Sequence, residues 1–547
     1  MRLEEHPMSL TNFRTSHALN TAALAGVLAA VVVWVGPPGT DFAAHRFQLD
    51  VYLEHGFALW TNYWYAGRYT FVGYSLLYYP LAALIGIKLL AVLSAAVSTG
   101  AFTLLVRQTW GDRTAWATRF FALVAAASIL TAAFPYGLGL ALALSALVAI
   151  ARQRSVWFAT LAALTFAASP LAFLFLLVIL AAAAATRSRR EIVAPAAIVA
   201  TISAVGLMLS RLFPDPGHYP FPVSELLAAL TFCGLGAALT RRVERARLLY
   251  VLYLVYGGLC IVSFVVPSNL GGNVVRLRLA AIPLAILTLS LRRWRPRPVA
   301  IAALGLAIAW NLSPLAFSLA RTSDDPSASS AYWQPVVTFV RRALPPGYRV
   351  EVVGTADHWE AVYLPGHRIP LVRGWFRQDD WPLNSVLYGR LTRESYLDWL
   401  RTLSVRYVVL TDATPDYSAR REEELLRSGR SGLPVVFRTA TTTIYAVPHP
   451  DPLVRGPGNP SVTALTAGTV TLLLSRPGRY RVGIRYSPYM VAAGTCLSAT
   501  KHGMTALTAS RAGTVRIRFD ISASGAVAAL TGRHSRCYPA ASAQSTR

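Results

Sequence analysis

The stretch LNTAALAGVLAAVVVWVG, Leu19 to Gly36, decides the fold: it carries no charge and is followed at once by PPGTDFAAHR, Pro37 to Arg46. Crossing ~30 Å of hydrocarbon takes about 20 apolar residues. The segment is long enough and lacks the small-residue cleavage site of a secretory leader, so it reads as a retained membrane helix. Comparable runs recur through the first three-fifths of the 547 residues. With 54% hydrophobic and 14% charged residues, this is not the composition of a soluble globular protein.

Working outward, arginine clusters separate the apolar runs: Arg107/Arg113/Arg119, Arg152/Arg154, Arg187/Arg189/Arg190, Arg241/Arg242/Arg245/Arg247 and Arg292/Arg293/Arg295/Arg297. Every second connection carries one, which is how cytoplasmic loops are marked. The net charge of +26 is therefore topogenic, and nucleic acid, which would want one continuous basic face, is not an expected partner. Counting spans between clusters predicts a polytopic α-helical membrane protein of about 11 transmembrane helices, its N-terminus cytoplasmic and everything after Arg321 extracytoplasmic. Abundant Arg and Ala beside only Lys88 and Lys501 suggest a GC-rich bacterial source, hence a bacterial plasma membrane.

Composition shifts at the polar linker Thr322–Ser330. Three parts are expected: a membrane domain over 1–320, an extracytoplasmic α/β domain over 321–450, and a β-rich, sandwich-like domain with a disordered tail over 451–547. Helices are predicted at Tyr332–Leu344, Arg393–Leu403 and Glu422–Ser428, with strands at Arg349–Val353 and Tyr407–Leu410. Strand-like runs at Thr469–Leu474, Tyr480–Tyr486 and Thr514–Ile521 follow, the last two alternating with period two. Cys233 and Cys260 lie in apolar segments and read as buried small hydrophobes. Cys496 and Cys537 fall in polar surroundings, where an outside location permits a disulfide.

The chemistry concentrates in the first long connection. Asp41 and His45 follow the first helix, and Asp41, His45, Gln48 and Tyr52 share one face of a predicted amphipathic helix, with Arg46, Asp50 and Glu54 on another. Ionisable groups at a bilayer surface are expensive and mark function by default. Two readings of Asp41 stand together, a general base toward a hydroxyl and a helix N-cap. His45 reads as a phosphate ligand or as the group that orients Asp41. The aromatic segment Tyr69–Ile85 suits an interfacial or re-entrant element. In a later connection, Arg276 and Arg278 stand outside against the charge bias; they read either as a phosphate clamp or as partners of the loop-one carboxylates. In the C-terminal part, Asp357–Tyr363 and Arg373–Trp381 are rich in residue types that bind sugars. A packing cluster would have the same composition. Asp379-Asp380 is a weak candidate for a divalent ion.

Asp-x-x-x-His at 41–45, Trp-x-x-x-Trp-Tyr-x-Gly-Arg at 60–68 and the Tyr/Pro-rich entry to the next helix resemble the GT-C superfamily of polytopic glycosyltransferases. More narrowly, they are similar to bacterial membrane proteins grouped as related to 6-pyruvoyl-tetrahydropterin synthase. The resemblance spans roughly Asp41 to Leu319. It implies transfer of a sugar from a polyprenyl-phosphate donor to a cell-envelope glycan, glycolipid or protein at the outer face, with Asp41 as catalytic base. Beside that expectation, His45, Arg276 and Arg278 are the candidate donor-phosphate ligands, and Glu54, Trp60, Trp64, Arg68, His358 and Trp375 the candidate acceptor-binding residues. The chain departs from the family in lacking a paired acidic motif in a later outer loop, where Asp215 and Glu225 stand alone. No cofactor is assigned, and a divalent cation stays open. The competing class is a transporter or flippase of lipid-linked glycans, or a non-catalytic envelope-assembly protein with a carbohydrate-binding tail. Transport would call for polar groups near mid-span and repeat symmetry, and neither is visible in the Ala/Leu/Val-rich spans.

Overall fold

The computed structural model describes residues 7–215 and 217–539; residues 540–547, at the end of the chain where a disordered tail is expected, lie outside the described residues. Two compact units emerge. One comprises the chain up to His45 with Tyr74–Leu207 and His218–Ser323; the other comprises Arg46–Gly73, Met208–Gly217 and the chain from Asp324 onward. The second half of the first long connection thus belongs with the C-terminal residues and not with the helices that flank it in sequence.

The first unit is built on helices α1 (Pro7–Val35), α2 (Phe42–His55, of which only the start belongs here), α3 (Tyr78–Ile85), α4 (Ile87–Trp110), α5 (Ala115–Ala127), α6 (Phe134–Ala151), α7 (Ser155–Ala168), α8 (Pro170–Ala184), α9 (Arg189–Leu212), α10 (Val223–Thr240), α11 (Arg247–Val265), α12 (Ala281–Leu291) and α13 (Arg297–Thr322). Among the described residues, 8 helical segments are long and apolar enough to cross a membrane. The count of about 11 expected from sequence differs because Ile87–Thr131 forms one apolar stretch, α4 through α5, and because α7 and α8 are shorter, at 14 and 15 residues. The turn between those two falls at Ser169-Pro170. Ser169 accepts from the Ala172 amide while Pro170 occupies the first helical turn, where a missing N–H costs nothing. Helix α12 is central: all of its residues but Ser290 are buried. At the opposite extreme, α9 buries none.

In the second unit, a four-stranded mixed sheet runs in the order 349–352, 405–411, 442–446, 435–438, the first pair parallel and the others antiparallel. Side chains of strand 405–411 alternate between two cores. Tyr407 and Val409 pack with Trp333, Val336 and Val340 of helix 330–343, and Val408 and Leu410 pack with Tyr396 and Leu400 of helix 393–402. Period two along the strand and spacings of three and four on the helices make this a helix–sheet–helix sandwich. Past Val454, antiparallel sheets of five and four strands share one core, with Val470 and Leu472 from one and Val482, Leu497 and Leu507 from the other. Cys496 and Cys537 are disulfide-bonded between the edge strand 535–537 and its neighbour 495–499.

Candidate functional site

Asp41 sits one residue before α2, its amide donating to the Thr131 carbonyl at 3.2 Å, and Thr40 is tied to Thr131 and Ser318. The loop is therefore fixed from two sides within the first unit. Arg276 reaches Asp41 with an Nη2–Oδ2 distance of 3.2 Å. It comes from a 3-10 segment, Gly271–Ala280, which begins at a glycine with φ +39; a Cβ there would collide with the Tyr219 carbonyl. Burial pushes the Asp41 carboxyl above the ordinary aspartate value, and Arg276 and then Arg321 pull against that rise.

His45 lies one turn into α2, fully buried, its ring tilted against Tyr74, Tyr78 and Phe134 at 5.5–5.8 Å and its Nδ1 3.3 Å from the Tyr79 hydroxyl. Burial holds its pKa down at about 3, against the Ala132 backbone acceptor. The imidazole is neutral at any ordinary pH, so toward a phosphate it is an N–H donor and not a cation. Arg278 faces Glu225, at 2.8 Å, and its backbone carbonyl accepts from Asn311. The two arginines do not converge as a clamp; each is answered by its own carboxylate. The pairing with loop-one carboxylates left open by the sequence is thus realised for Arg276 and Asp41, and Glu225 and Asn311 are the residues that sequence reasoning did not use. Glu225 stands at the first turn of α10, where a lone carboxylate opposite an unexplained arginine was the available signal.

Beside this pair lies an apolar cavity of about 140 Å³ enclosed by α4, α5, α6, α8 and α12. Phe134, whose ring packs on His45, and Leu277, between the two arginines, both line it, with Ser94 and Ser98 its few polar groups.

The candidate acceptor residues belong to the second unit and do not form a surface. Trp60 is buried, stacked on Phe519 at 5.6 Å, with its indole N–H on Asn62. Trp64 is fully buried, stacked on Phe47 at 3.9 Å and donating to the Ala361 carbonyl. Neither indole offers an open face; both are core residues because this segment laces the sheets together. Arg68 bonds Asp379 at 2.7 Å and lies over the Phe376 ring, and His358 is buried with Nδ1 3.1 Å from Glu360. Glu54, 60% exposed, and the half-buried Trp375 and Arg68 keep accessible area.

Arg68 and His358 are parts of a buried ionic core. Arg373 makes a two-pronged bond to Asp380 at 3.0 and 2.7 Å, with Ser418 at 2.8 Å and Glu351 and Glu422 within 4 Å. Arg377 bonds Asp416 at 3.0 Å. The candidate ion ligands Asp379 and Asp380 are turned to different partners, Arg68 for one and Arg373, Asn384 and Tyr388 for the other. Among the described residues, no three His, Cys, Asp or Glu side chains are grouped to hold a metal. Burial raises Asp379 to about 8, Asp215 adding to the rise and Arg68 opposing it; burial likewise raises Glu422 to about 7 against Arg373. For Asp380 and Asp416, the arginines outweigh burial and hold the carboxyls below the ordinary range.

No protein-family model matches this chain, and no curated protein matches it.

Proposed function

We propose that the chain is a GT-C-type membrane transferase that moves a glycosyl group from a polyprenyl-phosphate donor to a hydroxyl of an envelope glycan, glycolipid or protein at the outer face of a bacterial plasma membrane. In this reading α1 and α4 to α13 are the crossings, the N-terminus is cytoplasmic and the sheets are extracytoplasmic. One observation carries it: a partly buried carboxylate, Asp41, paired with Arg276 beside an apolar cavity within the helices. A prenyl-phosphate ligand needs that combination, a hydrocarbon slot and a cation at its mouth.

The pair supplies both halves of the reaction. A donor phosphate competes with Asp41 for Arg276, and Asp41, released from its partner, becomes the base. It takes the proton of the acceptor hydroxyl as the acceptor oxygen bonds the anomeric carbon. The bond from that carbon to the phosphate oxygen breaks, and its electron pair leaves with the polyprenyl phosphate, whose charge Arg276 stabilises. His45, neutral, contributes an N–H donor.

The test is binding of polyprenyl phosphate to the purified chain in nanodiscs. Arg276→Gln is expected to weaken it about tenfold, the worth of one charged hydrogen bond, with the unfolding temperature little changed. Equal affinity in the variant would remove Arg276 from the donor site. Net flux of a lipid-linked sugar with no new glycosidic bond would replace the transferase with a transporter.

A further inference from the structure

The least covered helix of the first unit borders a large cavity. Helix α9 is 24 residues long, has a mean hydropathy of 2.3 over its apolar window, and buries none of its side chains. It is held close at one end only. A Cβ on Gly206 would come within 2.8 Å of the Phe166 ring, and Ile198, Val199 and Ile202 pack partly against the core. Toward its N-terminus, from Val199 back to Glu191, the helix also lines a cavity of about 590 Å³ that reaches to α4, α6, α8, α11 and α12. Five side chains, among them Phe102, Leu144 and Leu284, line both this cavity and the smaller one near Asp41, so the two are neighbours.

The mouth of the larger cavity has a different character from its walls. Arg187 lines it together with Trp110, Gln108 and Glu191. Trp110, the last residue of α4, donates its indole N–H to the Arg245 carbonyl at 2.6 Å, which places the Arg241–Arg247 cluster at the same level. Indoles of this kind settle at the headgroup depth of a bilayer. Glu191 is occupied by the Ser188 hydroxyl at 2.6 Å, and Arg187 makes no ion pair among the described residues. Arg189 and Arg190 open α9 directly after it. An apolar slot in the size range of ligand pockets, ending at headgroup depth among unneutralised arginines, is complementary to one kind of occupant.

We infer that the wedge between α9 and the helix bundle is a binding site for an anionic glycerophospholipid, with acyl chains in the cavity and the phosphate on Arg187. The site lies at the arginine-rich end of the helices, away from Asp41, and does not rest on the transferase reading. It would make the bound lipid the surface on which α9 is seated, in place of protein side chains.

The experiment is native mass spectrometry of the full chain released from vesicles of phosphatidylglycerol and phosphatidylcholine in equal parts. Wild type retains phosphatidylglycerol preferentially, Arg187→Gln lowers that preference about fivefold, the worth of one arginine at an anionic headgroup, and Ala196→Trp, which fills the slot from α9, lowers retention of the lipid altogether. Equal retention of the two lipids by wild type would overturn the site, as would unchanged preference in both variants. Displacement of phosphatidylglycerol by equimolar polyprenyl phosphate would overturn the assignment to a phospholipid. A density map of wild type with acyl-brominated phosphatidylglycerol needs no variant to fold: bromine between α9 and α8 supports the site, and bromine only in the surrounding lipid belt refutes it.

Discussion

Two places in the molecule hold charge away from open solvent, one partly buried and one fully, and they solve the problem differently. Around Asp41, two separate ion pairs stand among aromatic rings beside an empty apolar space of about 140 Å³. Around Arg373, a dozen polar side chains interlock, and the space among them, by Gly354, His358 and Glu360, is about 10 Å³, room for one water at most. Burying charge costs several kcal/mol per ion unless every lone pair and proton is answered. The second region packs opposite charges densely, although both Glu351 oxygens and one of Glu422 accept no hydrogen bond among the described residues, and so has no room for a ligand. The first gives Asp41 one ion pair, with Arg276, and a cavity alongside, which is the arrangement a ligand can enter and a proton can leave. The lesson is that charge density alone does not mark a site; the sugar-binding composition of 357–381 was the composition of a core.

The comparison can be broken at its densest point first. Arg373→Met should destabilise the second unit by about 3–5 kcal/mol, because Asp380, Glu351 and Glu422 lose their common cation while staying buried. Hydrogen exchange of the amides in 349–353 and 405–411 reads the loss; protection equal to wild type would show that the core is not held by its charges.

The same core should respond to pH in a defined direction. Asp379, raised to about 8, and Glu422, raised to about 7, hold protons in the folded state that the unfolded chain releases near 3.8 and 4.5. Their contribution is therefore full below about pH 4, falls as pH rises, and is gone above about 8. Asp380 and Asp416, depressed by their arginines, act oppositely but only in acid, as pH drops below the ordinary aspartate value of 3.8. Between pH 5 and 8, exchange in this unit should become faster than intrinsic pH dependence explains. A flat corrected profile would contradict the raised values.

The smallest effect belongs to the exposed pair on α2. Arg46 and Asp50, 3.0 Å apart and 57% and 41% exposed, are an i,i+4 surface bridge, worth about 0.3–0.5 kcal/mol. Arg46→Ala should change neither stability nor ligand binding by more than that, and a larger loss measured by chemical denaturation would mean that this face of α2 carries a function not given to it here.

How much of this was legible in the sequence differs by region for physical reasons. Period and length exposed the elements: the strands at 349–352 and 469–474 and the helix at 393–402 fall within a residue or so of their predicted bounds, because alternation and apolar runs are local properties. The hairpin strands at 435–438 and 442–446 were missed, their residues being mostly exposed or Thr-rich. The Asp-x-x-x-His motif and the odd arginines pointed to the Asp41–Arg276 pair, since a charge against the topological bias has few explanations. Partner choice across long separations was not legible. Arg68 with Asp379 and Arg278 with Glu225 are decided by packing, and so is the burial of Glu351 on a strand that ends its sheet.

Asp41→Asn tests the central claim most directly. The amide keeps the shape and can still accept from Arg276, so the fold and polyprenyl-phosphate binding should persist within about threefold. Transfer of labelled sugar from a panel of polyprenyl-phosphate sugars to envelope acceptors, measured with purified protein in proteoliposomes, should fall by 10² or more, because a positioned general base contributes about 10²–10⁴. Wild-type transfer by the Asn variant would show that this carboxylate is only a structural partner of Arg276 and that the chemistry, if this unit performs any, lies elsewhere.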